Sequence, residues 1–409
     1  MLPVALLRGR AVDELNVVLC TWGLGPGGAE RQWVYLASGL RKMGVQVTLL
    51  TFESLSGSSA HYLPDIERAQ IPHVDATQML PTVDGELQGS IRHLSDCLGL
   101  GVREVDRIQR IASALRELKP NAVCAQLDEP NVFAGLAASL TGIQRIALSF
   151  RNQAPTNFPW IHREWMLPAY QWLIRRKGVV CCANSSAGAL SYSNWLGVPG
   201  GAIPILPNMM AYDSYCRADV AADASVKAEL GIDPDDQVVL GVFRLHPEKD
   251  PHTFLAVARE VLDTVPRSRF VLVGDGPLRT ELQATIDRWG LGRRCQIIGH
   301  RHDLPAVMSA ASVLLHTSRF EGMSNVVMEA QCCGLPVVGS SIPGVAEAVR
   351  DGETAMLCVP GDVAGFSHSL VEILLNRDVR DRMSTMSLRW AAEAFDPAAV
   401  CKKYFELLL

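Results

Sequence analysis

Two glutamates eight residues apart, Glu321 and Glu329, flank the run G-M-S-N in "SRFEGMSNVVMEAQCCGLPVV". A carboxylate can accept hydrogen bonds from paired hydroxyls, which suits polyols such as a ribose or a sugar ring. Ser324 or Asn325 can cap a helix that runs to Cys333 and stops at Gly334, which puts the amides of Gly322, Met323, Ser324 and Asn325 at its start. Unpaired amides and the positive end of a helix dipole form an anion site, suited to a diphosphate. Glu329 follows Ser324 at about 7.5 Å along the helix axis, a workable offset from a pyrophosphate to its ribose. Glu321 precedes the helix on the other side, where a second polyol fits.

Arg244 and Lys249, in "FRLHPEKD", offer a guanidinium fork and a point charge for that diphosphate. Gly274 and Gly276 in "GDGP" permit either close ligand approach or a plain connecting turn. Near the start, "NVVLCTWGLGPGGAERQW" satisfies G-x-G-x-x-G through Gly23, Gly25 and Gly28, and Glu53 closes the next apolar run, where a dinucleotide fingerprint wants an acid. A nicotinamide-dependent dehydrogenase is therefore one reading. It fits imperfectly, because Pro26 has no amide to donate, Trp22 lengthens the approach from the strand, and such an enzyme gives no reason for a second diphosphate site. His246, His300, His302 and His316 have no metal-ligand spacing, so no metal and no cofactor are expected.

The elements that position these residues alternate between short β-branched runs and helical patterns almost from end to end, the mark of a parallel α/β architecture. Strands are expected at "LNVVLC", "VQVTLLTF", "AVCAQL", "RIALSF" and "GVVCCAN", then at "VVLGVFRL", "RFVLVG", "CQIIG", "SVLLHT" and "PVVGS". The stretch from Pro207 to Gln237 reads as a linker, and the end reads as two helices broken at Phe395-Asp396-Pro397. Two doubly wound parallel sheets facing a cleft follow, with loops at the carboxyl ends of the strands lining one edge.

Length and composition agree: 409 residues exceed one usual core, and 48% hydrophobic with 20% charged residues describes a globular chain. The net charge is −5, with 18 Lys and Arg against 16 Asp and Glu in residues 1–210; no basic block points to nucleic acid. The 11 cysteines are scattered without C-x-x-C, which suits a reducing cytoplasm. "MLPVALLRGRAVDELN" is too short an apolar run for a signal peptide, and no run of about 18 apolar residues could span a membrane.

Taken together, "GPGGAERQ", "NSSAGAL…LPN", "FRLHPEK", "VLVGDGPL", the glutamate-pair block and "IPGVAEAVRDGETAMLCVPGD" resemble glycosyltransferase family four, the retaining nucleotide-sugar transferases of the GT-B fold. The resemblance implies an acceptor-side Rossmann-like domain over 1–208, a linker and donor domain over 209–390, and a final segment, 391–409, that returns to the first domain. It implies that Gly27 and Gly28 approach the donor diphosphate, that Arg244 and Lys249 grip it, that Glu329 holds the ribose and that Glu321 lies near the transferred sugar; Gly276 joins the donor set. Many members carry a histidine beside the sugar where this chain reads Gln126-Leu127-Asp128-Glu129. Asp128, Glu129 or Asn131 would then serve sugar or acceptor, and "SFRN" adds Arg151 and Asn152; a plain strand end is the alternative for all five.

The implied reaction moves a sugar to a hydroxyl of a saccharide or lipid-linked acceptor with retention, in surface polysaccharide or glycolipid assembly. The departing phosphate can take the acceptor proton, and Arg244, Lys249 and the helix start replace a metal. The segment "NFPWIHREWMLPAYQWLIRRKG" could rest peripherally on a membrane face or simply pack on the first sheet. A donor-binding protein without transfer activity is a further alternative.

Overall fold

The computed structural model describes residues 15–81, 83–210, 215 and 220–409. The opening segment before Leu15 and, within the expected linker, residues 211–214 and 216–219 lie outside the described residues. By their contacts the residues form two compact units: one runs to Met209 and takes in Pro397–Leu409, and the other is Met210–Asp396.

In the first unit six strands, β1 (Asn16–Thr21), β2 (Gln46–Thr51), β3 (His73–Asp75), β4 (Ala122–Gln126), β5 (Arg145–Phe150) and β6 (Val179–Ala183), form one sheet in the order β3-β2-β1-β4-β5-β6. The second unit repeats the plan with β7 (Gln237–Val242), β8 (Ser268–Val273), β9 (Cys295–Gly299), β10 (Val313–His316), β11 (Val337–Ser340) and β12 (Ala355–Cys358), ordered β12-β11-β10-β7-β8-β9. Every strand pairing is parallel, so both sheets are doubly wound and Rossmann-like.

Helices cover both faces, so the central strands bury every side chain beyond their first residues Asn16 and Gln237, and their sequences are largely apolar runs with no alternation. That is why the eight inner strands are readable from sequence, and the edge strands β6 and β9 carry apolar runs as well. The two unexpected strands, β3 and β12, are outermost in their sheets, and "HVD" and "AMLC" are too short to signal themselves.

One expectation needs correcting. Part of the presumed linker is a helix, Val220–Glu229, which packs against the helix Leu304–Ser309 and stops where Gly231 takes a positive φ of 65°. The alanine-rich run "AADASVKAE" has high helix propensity, and that outweighs the turn formers on either side.

The closing helix, Pro397–Leu408, belongs to the first unit, where it packs on the helix Gly28–Lys42. Trp33 and Tyr404 meet edge to face at 6.3 Å, and a Cβ on Gly39 would come within 2.2 Å of the Cys401 sulfur. The preceding helix, Arg377–Ala394, ends at Phe395, and the closing helix opens on Pro397, whose missing amide is harmless at a helix start.

Candidate functional site

In each sheet the strand order reverses once, between β1 and β4 and between β7 and β10. Loops leaving such neighbours diverge to opposite faces and open a crevice at the strand ends, which is where parallel sheets hold ligands. Gly27, Gly28, Asp128, Glu129 and Asn131 follow β1 and β4, and Arg244, Lys249 and Glu321 follow β7 and β10, whereas Gly276 follows β8 and Arg151 and Asn152 follow β5.

After β7, the short turn Pro247–Lys249 is followed by Asp250, which adopts a left-handed backbone, φ 47° and ψ 57°. Its carboxylate accepts the Thr253 hydroxyl at 2.9 Å and the Arg319 Nε at 2.9 Å, and the Thr317 hydroxyl donates to its carbonyl at 3.0 Å. These bonds over-determine a strained turn, as is common at working sites, and they fix Lys249 beside it.

Lys249 Nζ lies 2.6 Å from Glu321 Oε1, although the two are 72 residues apart. Ser318 Oγ donates to the same oxygen at 3.0 Å, and His316 Nε2 lies 3.1 Å from it. Burial would push the Glu321 carboxyl up, but the Lys249 charge and the hydrogen bonds from His316 and Lys249 outweigh it and hold the group well below the usual carboxylate range.

Arg244 is different. Its side chain is 74% exposed and among the described residues reaches Glu248 at 3.4 Å, while Glu248 is also in contact with His246.

The helix Asn325–Cys332 begins four residues after Glu321, with Ser324 at its cap position, and ends before Gly334 at φ 65°. Glu329 is 1% exposed within it. The expected array of four open amides is reduced, because the Ser324 amide donates to the Gly344 carbonyl at 3.1 Å. Gly344 approaches so closely that a Cβ there would sit 1.8 Å from the Gly322 carbonyl oxygen. Gly274, at φ 137°, is likewise required by a backbone neighbour: its Cβ would lie 2.0 Å from the Phe243 carbonyl oxygen, and one on Gly276 would lie 2.6 Å from that of Leu245. The Gly276 amide donates to the Asp275 side chain at 2.7 Å.

At the first unit's reversal, Gly27 caps the helix that starts at Gly28, and Leu24 in the same loop is pinned by backbone bonds to Ser59 and Tyr62 at 2.9 Å each. Beside it, β4 ends at Gln126, and Leu127 turns the chain with φ 69° and ψ 159°, a region that side chains rarely enter. Asp128 then accepts the hydroxyls of Tyr192 at 2.7 Å and Tyr170 at 3.2 Å. Asn131 is fully buried and donates to the Ser149 carbonyl at 3.0 Å and to Tyr170 at 3.2 Å. Arg151 donates to Asn208 at 2.6 Å and to Tyr404 of the closing helix at 3.4 Å. Glu129 pairs with Arg163 at 3.6 Å, and Asn152 accepts the neighbouring Gln153 amide at 3.0 Å.

Of the residues singled out from sequence, the structure brings Lys249 and Glu321 together and puts Glu329 inside the helix Asn325–Cys332. The sequence reading misses Ser318, Asp250 and Gly344, and treats His316 only as a non-ligand. Among the described residues no cluster of three or more His, Cys, Asp or Glu could hold a metal ion. No described helix is long and apolar enough to cross a membrane.

The family model for glycosyl transferases group 1 matches residues 223–390, and that for glycosyltransferase family 4 matches residues 26–211. The chain belongs to this group 1, family 4 class of glycosyltransferases. Its two-sheet plan is the class's GT-B fold: HepE of Anabaena, solved with UDP and glucose, superposes with a TM-score of 0.79 at 20% identity, covering 97% of this chain and 99% of that one. The Salmonella typhi Vi polysaccharide biosynthesis protein VipC/TviE is 26% identical over 87% of this chain, which spans 65% of that relative's length. An Escherichia coli relative, UDP-Gal:alpha-D-GlcNAc-diphosphoundecaprenol alpha-1,3-galactosyltransferase, is 25% identical over 66% of this chain and 71% of its own.

Proposed function

We propose that this family member transfers a sugar, with retention of configuration, from a nucleoside-diphosphate sugar to a hydroxyl of a saccharide or lipid-linked acceptor in surface polysaccharide or glycolipid assembly. The observation that carries the reading is the partly buried Lys249–Glu321 pair at the β7/β10 reversal, followed by a helix that buries Glu329. The relatives' names agree with it: one is solved with UDP and glucose, and another uses UDP-Gal and a diphosphoundecaprenol acceptor.

On this reading Lys249, the exposed Arg244 and the start of the helix Asn325–Cys332 oppose the charge that grows on the departing phosphate, while Glu321 takes hydroxyls of the sugar and Glu329 those of the ribose. The departing phosphate receives the acceptor proton. The protein cations carry the neutralisation, so no metal is called for in this scheme. Trp160, 54% exposed, and Ile161 would bring a lipid-linked acceptor's membrane within reach from the cytoplasmic side.

The test is release of nucleoside diphosphate across a panel of sugar donors, with the product's anomeric configuration read by NMR. Turnover of one donor with its configuration kept is the expected result. An inverted product would end the retaining assignment, and silence across the panel with an acceptor-rich membrane extract would end the transferase reading itself.

A further inference from the structure

His316 closes β10 with its side chain 1% exposed, and its Nε2 touches two groups at once: Glu321 Oε1 at 3.1 Å and Ser324 Oγ at 3.3 Å. Its other nitrogen, Nδ1, is buried and has no partner among the described residues. This geometry fixes the hydrogen. A carboxylate oxygen can only accept, so Nε2 must carry the proton, and Nδ1 is left as a lone pair, since an N–H there would be buried without an acceptor. Ser324 therefore cannot donate to the imidazole. It accepts a share of the Nε2–H, and its own hydrogen is left to point elsewhere; the helix cap does not use it, because Ser324 makes no side-chain capping bond.

We infer that His316 is a positioning residue that orients both halves of the donor site through one N–H. Its bond, with those of Ser318 and Lys249, gathers three donors on Glu321 Oε1 and turns Oε2 outward as the acceptor for a sugar hydroxyl. The same N–H orients the Ser324 hydroxyl as a donor to the diphosphate. The inference rests on the proposed transferase reading and deepens it.

The experiment compares His316→Leu with His316→Gln, whose Nε2 stands the same number of bonds from Cα and restores the donor. His316→Leu should lower kcat by about 10- to 100-fold, the scale of one lost positioning interaction, and raise the donor KM several-fold. His316→Gln should recover kcat to within about fivefold of wild type at equal thermal stability. Ser324→Ala should raise only the donor KM, and should add nothing to KM in the His316→Leu background, since its hydroxyl is already misdirected there. If the Leu variant fails to fold, His316→Asn, whose amide reaches only the Nδ1 position, takes its place.

An unchanged kcat in the donor-free variant overturns the inference. So does a stable Gln variant as poor as Leu, or additive KM effects. Failure of the wild-type protein to turn over any donor overturns instead the reading beneath it, so the two failures are distinct.

Discussion

Asp128 and Glu321 occupy comparable places, each just beyond the fourth strand of a six-stranded sheet at its reversal point, Asp128 as the first residue of the helix Asp128–Leu140 and Glu321 in a loop. Their surroundings make them opposites. Asp128 meets two phenols, and burial, helped by the like charge of Glu129, pushes its carboxyl up to about 6 despite the hydrogen bonds of Tyr192 and Tyr170. Glu321 suffers the same desolvation but meets an ammonium and an imidazole N–H, and stays ionised. Topology supplies a crevice twice; the groups across it decide how readily the carboxylate there takes up a proton.

The contrast is most exposed to attack at Lys249. Lys249→Met removes the charge that holds Glu321 ionised, and kcat/KM for the donor should fall by about 10³-fold. A loss under tenfold in steady-state diphosphate release would break the comparison, because Glu321 would then not depend on its cation.

Gly344→Ala tests the backbone beneath the same site. The new Cβ must displace the Gly322 carbonyl, so the loop between the glutamates shifts and turnover should drop by about 10²-fold. Full activity in a folded Ala variant would mean that the loop yields freely.

At the other crevice the expected effect is on stability. The native state binds the Asp128 proton more tightly than the unfolded chain, whose carboxyl titrates near 3.9, so the group favours folding below about pH 4 and that contribution is lost as pH rises through 6. Asp128→Asn accepts the tyrosine bonds without titrating. Relative to it, wild type should lose roughly 2 kcal/mol between pH 4 and pH 6, read from denaturation midpoints over a pH series. Parallel curves would show Asp128 to be an ordinary carboxylate.

The smallest change belongs to Arg163→Ala. Its pairing with Glu129 is long and its side chain 46% exposed, so stability should move by less than about 0.5 kcal/mol. Any sizeable loss would mean that Glu129 is committed to structure in the way Asp128 is.

Much of this was legible beforehand. β5 and β9 run over the same residues that their apolar runs announce; β5 is buried beyond Arg145, as an inner strand with unbroken hydrophobic sequence should be, while β9 at the sheet edge is mostly half-buried. The edge strands β3 and β12 and the helix Val220–Glu229 were not, since strands of three and four residues carry little pattern and an alanine-rich turn region is locally ambiguous. In the site, Lys249, Glu321 and Ser324 stood out by type and spacing. His316 did not, because a single histidine at a strand end carries no pattern, and Gly344 gained its meaning only from the carbonyl pressed against it.

The amino-acid order by itself determined two alternating α/β halves and the placing of carboxylates at strand ends, since those follow from short-range periodicity and from where apolar runs stop. Tertiary structure alone decided which state each carboxylate adopts. Asp128 finds its tyrosines 42 and 64 residues away, and Glu321 its lysine 72 away. Charge interactions and desolvation act over a few ångströms of space, and no local pattern in the chain encodes which distant groups will arrive within that range.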